Sequence, residues 1–336
     1  MSIYTVRFCQ REELSLLQEF IDKHWRKGHI LSRSKELFEF QHDYPLFDYY
    51  TFAIAFNNET SEIDAALGLI KYWKYDDSHT IPNAGWSAIW KVRDDVENPE
   101  VGGVAFKLLK FLLKKSDINI FASLGISQMY KSIAVSMHFD VGEMAHYYIA
   151  NPNYDNFKVI VKPEFTNFKS TSQLSIIESS VVHDVLEIDN SLNPFKNITY
   201  LVGRYEKHPM FNYVFWKIYD DKDLVAIIVV RKIDVLGHSI YRIMDMLGQK
   251  CLNSIYDAII TILERDNAEY VDCLNHGLPK EFFCNLGFIE VNHKKGTIIP
   301  EHLSPLEHKY IPLEYAYISD TPLVIFKGDG DQDRPN

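Results

Sequence analysis

One order of elements is written twice along this chain, and that repetition restricts its fold more than any single motif. In each half, helical segments precede three strands, a long helix, a strand, a short helix and a last strand pattern. The copies lie about 160 residues apart, a domain-sized period that excludes a solenoid of short repeats. With 336 residues to divide, the chain is expected to form two α/β domains, residues 1–160 and residues 174–336. The boundary region, Asn151–Gln173, holds Asn151-Pro152-Asn153 and a piece rich in Thr, Ser and Lys, a composition suited to a connection.

In the first half, strands are expected at Ile3–Phe8, Tyr50–Phe56, Ala65–Tyr75, Gly85–Val92, Ile118–Leu124 and Glu143–Ile149. Helices are expected where Leu14, Leu17, Phe20 and Ile21 share a face, over Ser34–Phe40, over Val101–Lys115 and over Gln128–His138. The helix to Lys115 ends in Lys110, Lys114 and Lys115, which suits the negative end of its dipole. Phe157–Val161 is a further strand candidate. The second half repeats the order: helical material between Ser179 and Leu192, then strands at Tyr213–Tyr219, Leu224–Lys232 and Ser239–Met246. A helix over about Asn253–Arg265, a strand at Tyr270–Leu274, a short helix at Lys280–Leu286 and a last strand pattern follow.

Composition narrows the class. Apolar residues make up 46% and aromatics 14%, enough to bury a core and too many for a disordered chain. The net charge of −11 disfavours a nucleic-acid binder, which needs a basic face. The longest strongly apolar run, Leu224–Val230, has a strand's length, so no membrane span is expected. Arg7, Arg11, Glu12 and Glu13 precede any long apolar stretch, unlike a signal peptide. Cys9, Cys251, Cys273 and Cys284 make no CxxC pair and are expected to be reduced, in the cytoplasm. The histidines are scattered, so no metal is expected, and no Walker or dinucleotide fingerprint appears.

The order β-α-α-β-β-β-α-β-α-β is similar to that of the GNAT acyltransferase superfamily. The resemblance implies two tandem domains, each a mixed, mostly antiparallel twisted sheet flanked by helices. It also implies a loop before the long helix whose backbone N–H groups cradle the diphosphate of coenzyme A. Glu100-Val-Gly-Gly103-Val-Ala105 stands at that place in the first half, with Glu100 where the family prefers Gln or Arg. The implied cofactor-binding residues are Trp90, Lys91 and Val92 on the strand and Gly102, Gly103, Val104 and Ala105 in the loop. Glu281-Phe-Phe-Cys-Asn-Leu-Gly-Phe288 and Ile133-Ala-Val-Ser-Met-His-Phe139 resemble the late helix, with Phe283 and Ala134 where a general-acid Tyr often stands. The second half lacks a Gly-rich loop, so the first is the expected CoA-binding half and the second a degenerate copy.

Four further stretches resemble tandem GNAT-like proteins encoded with bacterial surface-polysaccharide biosynthesis: His146-Tyr-Tyr-Ile-Ala-Asn151, Arg204-Tyr-Glu-Lys-His-Pro209 with Tyr213, Arg242-Ile-Met-Asp245 and Asp329-Gly-Asp-Gln-Asp-Arg-Pro-Asn336. This implies transfer of an acyl group, most simply acetyl from acetyl-CoA, to an amino sugar carried on a nucleotide or lipid. Such a reaction needs a base within reach of the amine. His29 and His42, which flank the second short helix, and Asp245 are the catalytic candidates. Each has a structural alternative: a capping or surface histidine, and a carboxylate paired with Arg242 or Arg204. Arg204, His208 and His276 are candidates for the acceptor, Arg204 by forked contacts to a sugar phosphate or, alternatively, as a surface salt bridge. A non-catalytic sugar-binding or scaffold protein stays open as a different class, favoured by Glu100 and the missing tyrosines. A Fem-like aminoacyl transferase is a third option, disfavoured by the negative charge.

Overall fold

The computed structural model describes residues 3–76, 80–96, 103–166, 168, 174–248, 252 and 254–330. The first half holds β1 (Tyr4–Gln10), α1 (Leu14–Phe20), α2 (Ile30–Arg33), α3 (Lys35–His42), β2 (Tyr49–Asn57), β3 (Glu62–Lys71), β4 (Ala84–Val92), α4 (Val104–Lys115), β5 (Ile120–Leu124), α5 (Gln128–Ser136), β6 (Asp140–Glu143) and β7 (Ala145–Ala150). The second holds β8 (Ser175–Ser179), α6 (Ile198–Leu201), β9 (Val214–Asp220), β10 (Asp223–Val235), β11 (His238–Gly248), α7 (Tyr256–Arg265), β12 (Ala268–His276), α8 (Lys280–Leu286), β13 (Ile289–Glu290), β14 (Glu314–Ile318) and β15 (Ile325–Phe326). No helix among the described residues is long and apolar enough to cross a membrane.

Local chemistry accounts for the elements that shape the site. Strands β2 and β3 are nearly continuous apolar runs because helices α1 to α3 cover one face and α4 the other. Helix α4 turns Val104, Leu108, Leu109 and Leu112 into that second layer. Helix α5 starts where the Ser127 hydroxyl accepts the Tyr130 N–H at 3.2 Å. The helical material expected between Ser179 and Leu192 is instead strand β8 followed by irregular chain. There the Glu206 carboxylate accepts the Val182 and His183 N–H groups, and Asn190 bonds the Leu192 N–H and the Lys196 carbonyl. These side-chain bonds compete with a helix. Phe157–Val161 is not a strand either. The buried Glu269 carboxylate accepts N–H groups of Lys158, Val159 and Ile160, and Val161 makes a single bridge to Ile298.

The described strands form two sheets, ordered β1-β2-β3-β4-β5-β14-β6 and β13-β7-β12-β11-β10-β9-β8, with β15 also on β12. The pairs β4–β5 and β11–β12 are parallel. The sheets do not follow the halves: β7 of the first half lies between β12 and β13, and β14 of the second lies between β5 and β6. Each half therefore lends one interior strand to the other, across the linear boundary expected at 160–174. Between the sheets lies a core of Trp86, Tyr72, Tyr200, Tyr205, Phe215, Leu323 and Ile325, all at most 1% exposed.

Candidate active site

Beta-strands β4 and β5 run together only from Ala84 opposite Ile120 to Trp86 opposite Ala122, and then diverge. The cause is visible on the other side of β4, where its pairing with β3 slips by one residue between Leu67 and Leu69. Such a bulge adds a residue to one strand and bends it away. Past Trp86 the edge of β4 that faces β5 has no strand partner among the described residues, and a cleft of about 640 Å³, open to solvent, occupies the fork. Its walls are apolar, with Trp25, Trp90, Val92, Ile126 and Ile133.

Hydroxyls close the narrow end. The Ser87 hydroxyl donates to Ser123 at 2.6 Å, and Ser123 shares a hydrogen bond with the Tyr130 hydroxyl. Ser87 and Tyr130 both line the cleft. The Tyr130 ring stands edge-on to Trp90, 4.6 Å between centroids. Burial pushes the Tyr130 phenol up to about 12, against its bonds to the two serines. It is therefore a protonated donor at neutral pH. The far lip is fixed by the exchanged strand: the Glu314 carbonyl accepts the Gly125 N–H at 2.8 Å, and its carboxylate holds Lys131 and Gln128 of α5. Tyr130, Ser87 and Ser123 are the site residues that sequence reasoning missed. Tyr130 stands one helical turn before Ala134, so a motif tied to spacing from Phe139 passes over it.

Of the residues expected to hold the cofactor, Trp90, Val92 and Ala105 line the cleft. Lys91 does not: strand alternation turns it away, to an ion pair with Asp94 at 2.5 Å. Val104 does not either, being buried in the core beneath α4. Gly103 caps α4, and a Cβ there would meet no described atom within 4 Å. Gly102 and Glu100 lie outside the described residues.

The catalytic candidates are not brought together. His29 caps α2, its Nδ1 accepting the Leu31 N–H at 3.2 Å. His42 is buried against Phe38 and Phe52, with Nδ1 3.2 Å from the Leu69 carbonyl. Neither lines the cleft. Asp245 is fully buried, and its partner is neither Arg242 nor Arg204. Lys196 reaches it at 2.6 Å and Tyr205 donates to it at 2.8 Å. Burial and the Asp329 carboxylate push Asp245 up to about 6, against the pull of Lys196. Arg242 belongs to Asp272 instead, the carboxylate that β12 sets directly opposite it.

Among the acceptor candidates, Arg204 is 1% exposed and is no surface salt bridge. It donates to the carbonyls of Gly328 and Gly330 at 3.1 and 2.8 Å, because the C-terminal chain passes directly over it. His208 is buried and accepts the Met210 and Phe211 N–H groups at 3.2 and 3.1 Å. Burial and the cations Arg204 and Arg231 hold it down to about 3, so it is neutral. His276 ends β12, and its ring lies tilted against Tyr315 and Tyr317 of β14, at 4.1 and 5.8 Å between centroids. Tyr315 pairs with Leu124, which lines the cleft, but His276 itself does not line it. Burial lowers its pKa.

No family model and no curated protein matches the sequence. Solved structures do match, over nearly all of it. A GCN5-related N-acetyltransferase from Anabaena variabilis ATCC 29413 is 10% identical, with a TM-score of 0.53 over 94% of this chain and 72% of that one. A candidate acetyltransferase from Pyrococcus horikoshii is 10% identical, with a TM-score of 0.52 over 100% of this chain and 97% of that one. A protein of unknown function from Enterococcus faecalis V583, described as a probable N-acyltransferase, is 8% identical with a TM-score of 0.54 over 94% and 72%. The fold is that of the GCN5-related N-acetyltransferases. The tandem architecture expected for such a chain is present, as two mixed sheets flanked by helices.

Proposed function

We propose that this chain is an acyl-CoA-dependent N-acyltransferase, most simply an acetyltransferase, with its donor site in the fork between β4 and β5. The observation that carries the reading is that fork: an apolar cleft beside a strand edge with no described strand partner, ending in three linked hydroxyls, with Ala105 of the first turn of α4 in its wall. The strand edge offers peptide groups to the amides of a pantetheine arm. Helix N–H groups at Gly103 and beyond favour the diphosphate. Acyl-CoA is the substrate these features suit, and they require no metal.

The reaction is direct attack in a ternary complex. The acceptor nitrogen bonds to the thioester carbon, the C–S bond breaks, and its electron pair goes to sulfur. Backbone N–H groups of β4 stabilise the oxyanion that forms on the way. Tyr130 gives its proton to the departing thiolate and regains one from water. His276, neutral and on the side of β14 turned to the second half, takes the proton of the amine. The acceptor is an amino sugar of surface-polysaccharide assembly, a choice supported by the four resembling stretches. A cytoplasmic location fits an acyl-CoA substrate and the free thiols of Cys9, Cys273 and Cys284. The test is a panel of amino-sugar nucleotides with acetyl-CoA: release of free CoA with at least one is expected. Absence of CoA release together with absence of CoA binding would remove the reading in favour of a non-catalytic binding protein.

A further inference from the structure

The second half has a fork of the same design. Strands β11 and β12 run together to Ile243 opposite Cys273, and the pairing of β11 with β10 slips by one residue between Val229 and Val230. Here the gap is not open. The chain's own residues Leu323–Gly330 run through it. Beta-strand β15 pairs with the end of β12, Asn275 opposite Phe326 and His276 opposite Ile325. The Asn275 side chain donates to the Ile325 carbonyl at 3.0 Å. On the other arm of the fork, a Cβ on Gly328 would lie 2.5 Å from the Met244 carbonyl oxygen, and one on Gly277 would collide with the Leu323 carbonyl. Both positions require glycine for the segment to lie so close.

The segment is as buried as any core strand: Leu323 and Ile325 are 0% exposed, Phe326 2% and Asp329 1%. It is also locked by charge. Lys196 bridges Asp245 at the fork and Asp329 on the segment, at 2.6 and 2.5 Å. The Asp329 carboxylate also accepts from the Tyr72 hydroxyl of the first half and from the Phe326 N–H. Arg204 holds the carbonyls of Gly328 and Gly330 on either side of it.

We infer that Leu323–Gly330 is a built-in peptide ligand of the second fork, seated where a thioester donor would enter, so that each chain carries one donor site. The inference deepens the functional reading in that it assigns the second fork a polypeptide instead of acyl-CoA. The segment also connects the forks. Its last described residue, Gly330, lies against Leu124, which lines the first cleft.

The test keeps the full chain. A protease site inserted between Ser319 and Asp320, an exposed turn after β14, allows the folded protein to be nicked ahead of the segment. The fragment is expected to stay bound through gel filtration, and an Asp329→Asn change to speed its loss at least tenfold; Phe326→Ala serves if that variant does not fold. A fragment that leaves the unsubstituted nicked protein as fast as the variant overturns the inference. Calorimetric titration with CoA is expected to give one equivalent per chain, and two would also overturn it. A count of zero refutes the donor-site reading alone and leaves fragment retention to decide this one.

Discussion

The two forks share a backbone and differ in the residues just past the last ladder pair. In the first, Trp86 and Ala122 lead into Ser87 and Ser123, two small hydroxyls that touch and leave the gap above them free. In the second, Ile243 and Cys273 lead into Met244 and Leu274, both buried in the core between the sheets. The β-bulge opens both forks; side chains decide what fills them. A gap lined by apolar groups and one buried carboxylate is costly to leave empty, and the C-terminal segment supplies the apolar side chains and Lys196 the counter-charge.

The contrast between the forks is most sensitive at Lys196. Lys196→Met leaves Asp245 and Asp329 buried without their cation and should cost about 3–5 kcal/mol, read by denaturant unfolding. A loss below about 1 kcal/mol would mean the second fork does not depend on that lock. At the first fork, Tyr130→Phe removes the proposed proton donor and should lower kcat about 10²-fold or more, with KM for acetyl-CoA little changed. A variant with full kcat would return the leaving group to solvent. Gly103→Trp should fold, since a Cβ there meets no described atom within 4 Å; circular dichroism checks this. It should abolish the stabilisation by CoA, roughly 2.7 kcal/mol at a ligand concentration of 100 times Kd; a retained thermal shift would place the donor elsewhere.

The smallest effect concerns His208, edge-on to Phe40 of the first half at 5.0 Å between centroids. Folding holds it down to about 3, while the unfolded chain protonates near 6.5. Its contribution to stability is therefore complete above about pH 6.5 and is lost as pH falls toward 3. His208→Asn keeps an acceptor for the two N–H groups and removes the proton. Unfolding measured from pH 7 to 5.5 should show the wild type losing on the order of 1 kcal/mol more than the variant. Equal slopes would mean that His208 titrates freely.

Much of the fold was legible because it is local. Strand and helix positions in both halves follow the apolar period, and most fall within a few residues of their expected bounds. The resemblance pointed to a strand and a helix that do border a cleft, since Trp90, Val92 and Ala105 all reach it. What escaped was non-local. Nothing in the sequence near Ala145–Ala150 or Glu314–Ile318 says which sheet each will join, because a strand's pattern encodes a buried face and not a partner. Asp245 could be seen to need a counter-ion, but Lys196 lies far from it in sequence and meets it only through the fold. Tyr130 was hidden by a motif spacing that this helix does not keep.

The exchange of β7 and β14 has a consequence for how the protein is made. When β6 leaves the ribosome, the place between β5 and β6 is vacant, and its occupant begins about 170 residues later. At translation rates of roughly 5–20 residues per second, the nascent chain waits on the order of ten to thirty seconds with two bare strand edges beside the proposed donor cleft. The first sheet of this enzyme candidate is thus complete only once β14 has been made, and a chain stalled or clipped ahead of β14 would yield no half-molecule that could stand alone.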